Sequence, residues 1–200
     1  MKNQLKKIAL LLSLYFISSC NITNYIVQNK AQTSGLDFSQ GKWLLGNIEA
    51  DSEIKDDLTQ IAIKDFTAHL GTRVSYYQNE KSVLLPSKIP LNPKKNAILD
   101  LKKGTNFDYY INIKCEDDRN NLENFNQLDH AYYKKQMTFA RVTIEVYNLN
   151  SGEIIYNQSV IGSIDEDSSI SYKPKRTVIM GCYKKILNQI NTKSTNQSNL

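Results

Sequence analysis

Asp108 to Glu116, DYYINIKCE, and Thr138 to Ser163, TFARVTIEVYNLNSGEIIYNQSVIGS, decide the fold class of this chain. In the first, Tyr109, Ile111, Ile113 and Cys115 alternate with Tyr110, Asn112, Lys114 and Glu116. That period of two predicts a half-buried strand with Cys115 on its apolar side. In the second, Ala140, Val142, Ile144 and Val146 mark one face. Phe139, Arg141, Thr143, Glu145 and Tyr147 mark the other. Asn150-Ser151-Gly152 then breaks the run, and Gly152 supplies the positive backbone angle of a short hairpin. The return segment, Glu153 to Ser163, is again rich in strand formers.

Working outward, the flanks read as helices. From Asp51-Ser52, which can cap a helix, Ile54, Leu58, Ile61, Ala62, Phe66 and Leu70 recur at helical spacing, and Gly71 sits at the stop. Ala97 to Lys103 is a short helix halted by Gly104. From about Arg176 to Ile190, Ile179, Cys182, Tyr183, Ile186, Leu187 and Ile190 form a continuous apolar stripe. Lys42 to Ala50, with Trp43 and Leu45 on one face, reads as the first strand. Thr72 to Gln78 reads as a short one. The expectation is therefore an α+β single domain over residues 42–190. It has a small mixed β-sheet with a β-hairpin, packed by two longer amphipathic helices and one short helix.

Between these elements lie two unusual connections. Asn79 to Asn96 holds Pro86, Pro90 and Pro93, which forbid helix and central strand. Its Val83, Leu84, Leu85, Ile89 and Leu91 predict that it packs down on the domain. Asp117 to Gln136 is polar and long for a loop, and is the main candidate for an interaction segment. The pairs Tyr76-Tyr77 and Tyr132-Tyr133 are candidate contact anchors, because aromatics are enriched at interfaces.

The beginning of the chain sets the address. Lys2, Lys6 and Lys7 precede an apolar run from Ile8 to Ile17 that is broken only by Ser13, and Ser18, Ser19 and Cys20 follow. Charged, apolar, small is the layout of a secretory signal, and the run is shorter than the ~20 residues of a bilayer span. Ile17-Ser18-Ser19-Cys20 resembles the bacterial lipobox. The resemblance implies cleavage of residues 1–19, acyl chains such as palmitate on Cys20, and a lipid-anchored envelope protein. Several acyl chains hold durably where one holds marginally. Asn21, rather than Asp, leans the sorting towards the outer membrane, facing the periplasm. Asn21 to Gln40 has no sustained period, so residues 20–41 read as a lipidated tether. Residues 191–200 read as a disordered polar tail.

Composition narrows the classes of function. The formal charge of +5 falls to +2 once Lys2, Lys6 and Lys7 are removed. No clustered basic face suggests nucleic acid. With Cys20 lipidated, Cys115 and Cys182 remain as a candidate disulfide between sheet and last helix, 67 positions apart. Such a bridge would contribute roughly 2–4 kcal/mol. The two histidines, His69 and His130, stand outside any nucleophile–base motif. No Gly-x-Ser-x-Gly or phosphate loop occurs. Asp165-Glu166-Asp167 lacks the spacing of a calcium loop. Asp56-Asp57 and Asp117-Asp118 read as solvated charge. Catalytic, cofactor and metal residues are thus expected to be none.

Three segments together carry a further resemblance. They are Leu101-Lys102-Lys103-Gly104-Thr105-Asn106-Phe107-Asp108-Tyr109-Tyr110, then Val142 to Leu149 with Ser151-Gly152-Glu153-Ile154-Ile155-Tyr156, then the closing helix. This pattern resembles the α/β domain of bacterial envelope proteins related to the TolB N-terminal domain, the curli-secretion lipoprotein and the lipoprotein activators of penicillin-binding proteins. Ser-Gly-Glu stands here for the usual Thr-Gly-Glu, and Phe107 for a more usual Ala. The resemblance implies a non-catalytic module that binds an envelope protein or cell-wall partner. A carrier of a small apolar or lipid ligand is the alternative, and would need a closed apolar cavity between sheet and helices.

Overall fold

Alternation and helical spacing translate directly into elements in the computed structural model, which describes residues 23–28, 36–80, 86, 88–117, 137–165 and 173–197. The strands are β1 (Asn24–Gln28), β2 (Trp43–Leu45), β3 (Val74–Tyr76), β4 (Tyr109–Glu116), β5 (Met137–Asn148) and β6 (Glu153–Asp165). The helices are α1 (Ser52–Leu70), α2 (Lys95–Gly104) and α3 (Lys173–Gln197). One mixed sheet runs in the order β1-β6-β5-β4-β2-β3. Pairing is antiparallel from β1 to β4, and parallel where β2 joins β4 and β3. The α+β expectation of a mixed sheet with three helices holds.

The register explains why the alternating residues meet. Ile111 lies opposite Val146, Ile113 opposite Ile144 and Cys115 opposite Val142. These six sit over α1 and α3, whose buried residues include Leu58, Ala62, Phe66, Tyr183, Ile186 and Ile190. Each fully buried aliphatic or aromatic side chain there stabilises by roughly 1.5–3 kcal/mol before entropy is counted. Beyond Val146 a bulge lets Val146 face Tyr156 while Tyr147 faces Ile154. Ile155 is the extra residue. Tyr156 therefore stays in the helix-covered core, and Ile154 turns to the other face.

On that other face a smaller core gathers Leu44, Ile89, Ile98, Leu101, Phe107, Tyr110, Tyr147 and Leu149. It is closed by α2 and, from the proline-rich segment, by Ile89; Val83, Leu84 and Leu85 of that segment lie outside the described residues. Gly152 takes φ +69° at the hairpin, and a Cβ there would come within 2.9–3.1 Å of Lys95 and Leu99. Its N–H returns to the Asn148 carbonyl at 2.8 Å.

Three expectations change. First, Lys42 to Ala50 is not the first strand, because β1 precedes it. Residues 24–28, read as tether, pair in register with Gln28↔Ser159 through Asn24↔Ser163 of β6. Leu36 is also buried in the main core. The reason is tertiary: Tyr25 fits where two glycines leave room. A Cβ on Gly181 would lie 1.7 Å from the Tyr25 hydroxyl oxygen, and one on Gly162 would lie 3.1 Å from its ring. Second, Lys42 to Ala50 pairs fully only over Trp43–Leu45, with one further bridge from Glu49 to Lys114. Third, α3 starts earlier and continues to Gln197, so most of the expected tail is helical in its backbone.

Candidate functional site

Three places in the fold combine polar chemistry with a defined geometry. The first is a buried network on the face of the sheet away from α1 and α3. Glu145 is only 2% exposed. Its carboxylate accepts the Asn92 backbone N–H at 3.0 Å and the Tyr147 hydroxyl proton. The Tyr147 oxygen also accepts from the Asn92 N–H, at 3.1 Å. One strand over, the Asn112 amide donates to the carbonyls of Ile89 and Pro90 at 3.0 and 3.4 Å. Asn92 has φ +49°, outside the usual range for a residue with a Cβ. The polar side of β4 and β5 is thus the cradle that holds Ile89 to Asn92 of the proline-rich segment, where Pro90 has no N–H of its own. Burial, followed by the neighbouring Glu145 carboxylate, pushes the Tyr147 hydroxyl far above its ordinary value. It remains a proton donor at any physiological pH. Beside it, the Thr143 and Ser159 hydroxyls satisfy each other at 2.8 Å.

The second place is a cleft of about 480 Å³ at the amino ends of the parallel strands. Lys42 precedes β2, Thr72 and Arg73 precede β3, and Asn106 and Phe107 precede β4. Ser75 and Glu80 complete the lining. Arg73 is committed to structure, since its guanidinium donates to the carbonyls of Gly41, at 3.3 Å, and Phe38. The cleft therefore offers one free-ended cationic chain, two hydroxyls, one amide and one acid over the Phe107 ring. That mixture suits a polar peptide or glycan segment, not an apolar ligand. It lies on the surface at the β3 edge, away from the packed interior between sheet and helices.

Next to the cleft stands Asp108, the acid of the Gly-to-Asp-Tyr step. Its Oδ2 accepts the Lys42 N–H at 2.9 Å, and its Oδ1 accepts Lys102 Nζ at 2.8 Å and the Asn150 amide at 3.4 Å. Its backbone bonds Lys42 and Leu149. The Lys102 contact, then the Lys42 N–H, hold its carboxyl below the usual range. The motif behind the family resemblance is thus a structural joint that ties β2, α2, β4 and the hairpin together.

The third place is the opposite end of the sheet. Here Lys175 of α3 pairs with Asp51 at the start of α1 and with Asp117 after β4, the latter at 3.7 Å. Arg176 pairs with Asp57 at 2.8 Å. Asp51 precedes α1 without a side-chain cap bond. Its carbonyl accepts from Ile54 and Lys55, and its carboxylate goes to Lys175.

The residues singled out from sequence fall as follows. Cys115 and Cys182 are both free thiols. Cys182 donates to the Ala140 carbonyl at 3.8 Å. Ala140 stands two positions from Val142, the residue opposite Cys115. Burial pushes each up to about 12. Tyr76 is buried and Tyr77 packs against the same core, so this pair is not an exposed anchor. His69 is half-buried and stacks on Phe38, with ring centroids 5.2 Å apart. Cys20, residues 118–136 with His130 and Tyr132-Tyr133, and Glu166-Asp167 lie outside the described residues. Among the described residues, no group of three or more His, Cys, Asp or Glu is placed to hold a metal ion. None of the described helices is long and apolar enough to cross a membrane.

Sequence reasoning found the proline segment and the alternating polar face separately, and did not join them. The signal was the excess of Asn, Glu, Thr and Tyr on a face opposite a segment with apolar content. The cleft had no sequence signal, because its residues come from the approaches to three strands, from β3 itself and from the segment after it.

No protein family and no curated protein matches the sequence. Among solved structures, the chain is similar to the PelC dodecamer from Paraburkholderia phytofirmans. Identity is 14% and TM-score 0.43, with 84% of this chain and 97% of that chain covered. It is also similar to lipoprotein GNA1162 from Neisseria meningitidis, at 13% identity and TM-score 0.41, with 75% and 96% covered. At these values the likeness carries no functional weight.

Proposed function

We propose that the mature chain is an envelope lipoprotein, tethered through lipid on Cys20, whose domain binds an envelope protein or cell-wall partner without catalysis. The observation that carries this reading is Ile17-Ser18-Ser19-Cys20 behind a basic start and a short apolar run. Several acyl chains make such a tether durable, and Asn21 favours the outer membrane, facing the periplasm. Tethering confines the domain and raises its effective concentration for neighbours. The cleft beside β3 is the contact surface assigned to the partner. Lys42, Thr72, Ser75, Asn106 and Glu80 supply donors and acceptors for a polar segment over Phe107.

The test uses the native lipidated protein, cross-linked gently and captured from membranes, with Cys20→Ala as control. The expected result is incorporation of labelled palmitate, membrane fractionation that Cys20→Ala abolishes, and envelope partners enriched only with the tethered form. A Cys20→Ala protein that fractionates with membranes as before overturns the lipid assignment. A small apolar molecule co-purifying in place of a partner favours the carrier role instead.

A further inference from the structure

From the position of β1 we infer that the domain rests directly on the lipid surface, with the end of the sheet that bears Asn24, the start of α1 and the start of α3 turned towards the headgroups. This rests on the lipid attachment to Cys20 proposed above.

The reach of the chain decides it. A chain spans at most ~3.6 Å per residue, so from Cys20 to Asn24 the connection is no longer than about 14 Å. A tether running to residue 41 would have allowed more than ~70 Å. The lipidated residue sits at the boundary between acyl chains and headgroups, and the headgroup layer itself takes roughly 5–8 Å of each leaflet. What remains is too short for the domain to stand off. Nor is β1 free to peel away at little cost. It makes a five-residue ladder with β6, and Tyr25 is seated in the notch left by Gly162 and Gly181.

Register then names the end that faces the bilayer. Asn24 lies opposite Ser163, near the end of β6. Ser163 lies opposite Phe139, near the start of β5, and Arg141 lies opposite Glu116, at the end of β4. The Lys175–Asp51 and Arg176–Asp57 pairs bring the first turns of α3 and α1 to the same end. Lys175 and Arg176 thereby offset two of the three negative charges that Asp51, Asp57 and Asp117 would present to an anionic surface. β5, twelve residues long, separates this end from the hairpin at Asn150 by roughly 40 Å. The cleft at the amino ends of the parallel strands is carried on the far side, towards the aqueous space.

The test places the full lipidated chain in phosphatidylethanolamine–phosphatidylglycerol liposomes that contain a headgroup-borne quencher. A fluorophore is attached at Ser52→Cys or at Asn150→Cys, both exposed positions. Ser52 is four strands away from β1 across the sheet, so its proximity is not trivially set by the anchor. The expected result is severalfold stronger quenching at 52 than at 150. Insertion of about twenty Gly/Ser residues after Asn21, which leaves the fold untouched, should abolish the contrast. Equal quenching at both positions in a chain that floats with the liposomes overturns the inference, and so does a contrast that survives the insertion. A chain that does not float at all, and behaves like Cys20→Ala, overturns the lipid attachment instead.

Discussion

On one face of the sheet Ile111, Ile113, Val142, Ile144 and Val146 meet the apolar stripes of α1 and α3. On the other, Asn112, Thr143, Glu145 and Ser159 are buried to the same degree, and all four are polar. The first face is held by non-directional burial, and tolerates any partner of matching shape. The second is held by donors and acceptors that must each find a mate, and it accepts only the one loop path that supplies them. Asn112 finds the Ile89 and Pro90 carbonyls, and Glu145 finds Asn92. An alternating strand is thus half exposed only until an irregular segment claims its polar side.

The contrast can be broken first on the helix side. Ile144→Ala should cost roughly 4 kcal/mol, the lost transfer energy plus the cavity left under α1 and α3. Denaturant unfolding would show it as a lower midpoint with unchanged slope. On the polar side, Glu145→Ala should cost about 2–3 kcal/mol, because it strands the buried Tyr147 hydroxyl proton without an acceptor and leaves the Asn92 N–H only the Tyr147 oxygen. Glu145→Gln, which keeps an oxygen there, should recover part of that. If alanine and glutamine are equivalent, the network is not what holds the loop.

A third change probes the seam between sheet edge and helix. Gly181→Ala drives a methyl group into the Tyr25 hydroxyl, and should cost about 1–2 kcal/mol. Hydrogen exchange should accelerate at the β1 amides while those of β4 and β5 stay protected. Uniform acceleration across the sheet would mean that β1 is not a separable edge.

The smallest effect separates the faces by pH. Burial raises the Cys115 and Cys182 thiols from 9.0 to about 12 in the fold. Below pH 9 the thiols are neutral in both states, and their contribution is complete. Above it the unfolded chain ionises first, so stability falls as pH climbs from 9 towards 12. At pH 8 neither thiol should react with an alkylating reagent until the protein unfolds, whereupon both should. An unfolded, non-reduced protein that takes up no label at these two positions would establish the bridge between them.

Most strands, all three helices and the hairpin were legible, because each is written in local spacing: period two in DYYINIKCE, period 3.6 from Ile54 to Leu70, and a glycine where the chain must turn. The Pro-rich segment was legible as packed but not as to where. Its docking depends on hydrogen bonds between residues more than twenty positions apart, and no local pattern encodes those. The cleft was illegible for the same reason, being assembled from residues that lie far apart in the chain, from Lys42 to Phe107. Tyr76-Tyr77 misled because two adjacent aromatics look alike whether they face a partner or the core.

By itself, the sequence determined the α+β class and the helix-facing core. These rest on interactions between near neighbours or on short motifs. Only the tertiary structure decided that Asn24 to Gln28 is the sheet's edge strand. Five residues are too few to declare themselves by period. What makes them a strand is the space that Gly162 and Gly181, far along the chain, leave for one tyrosine ring.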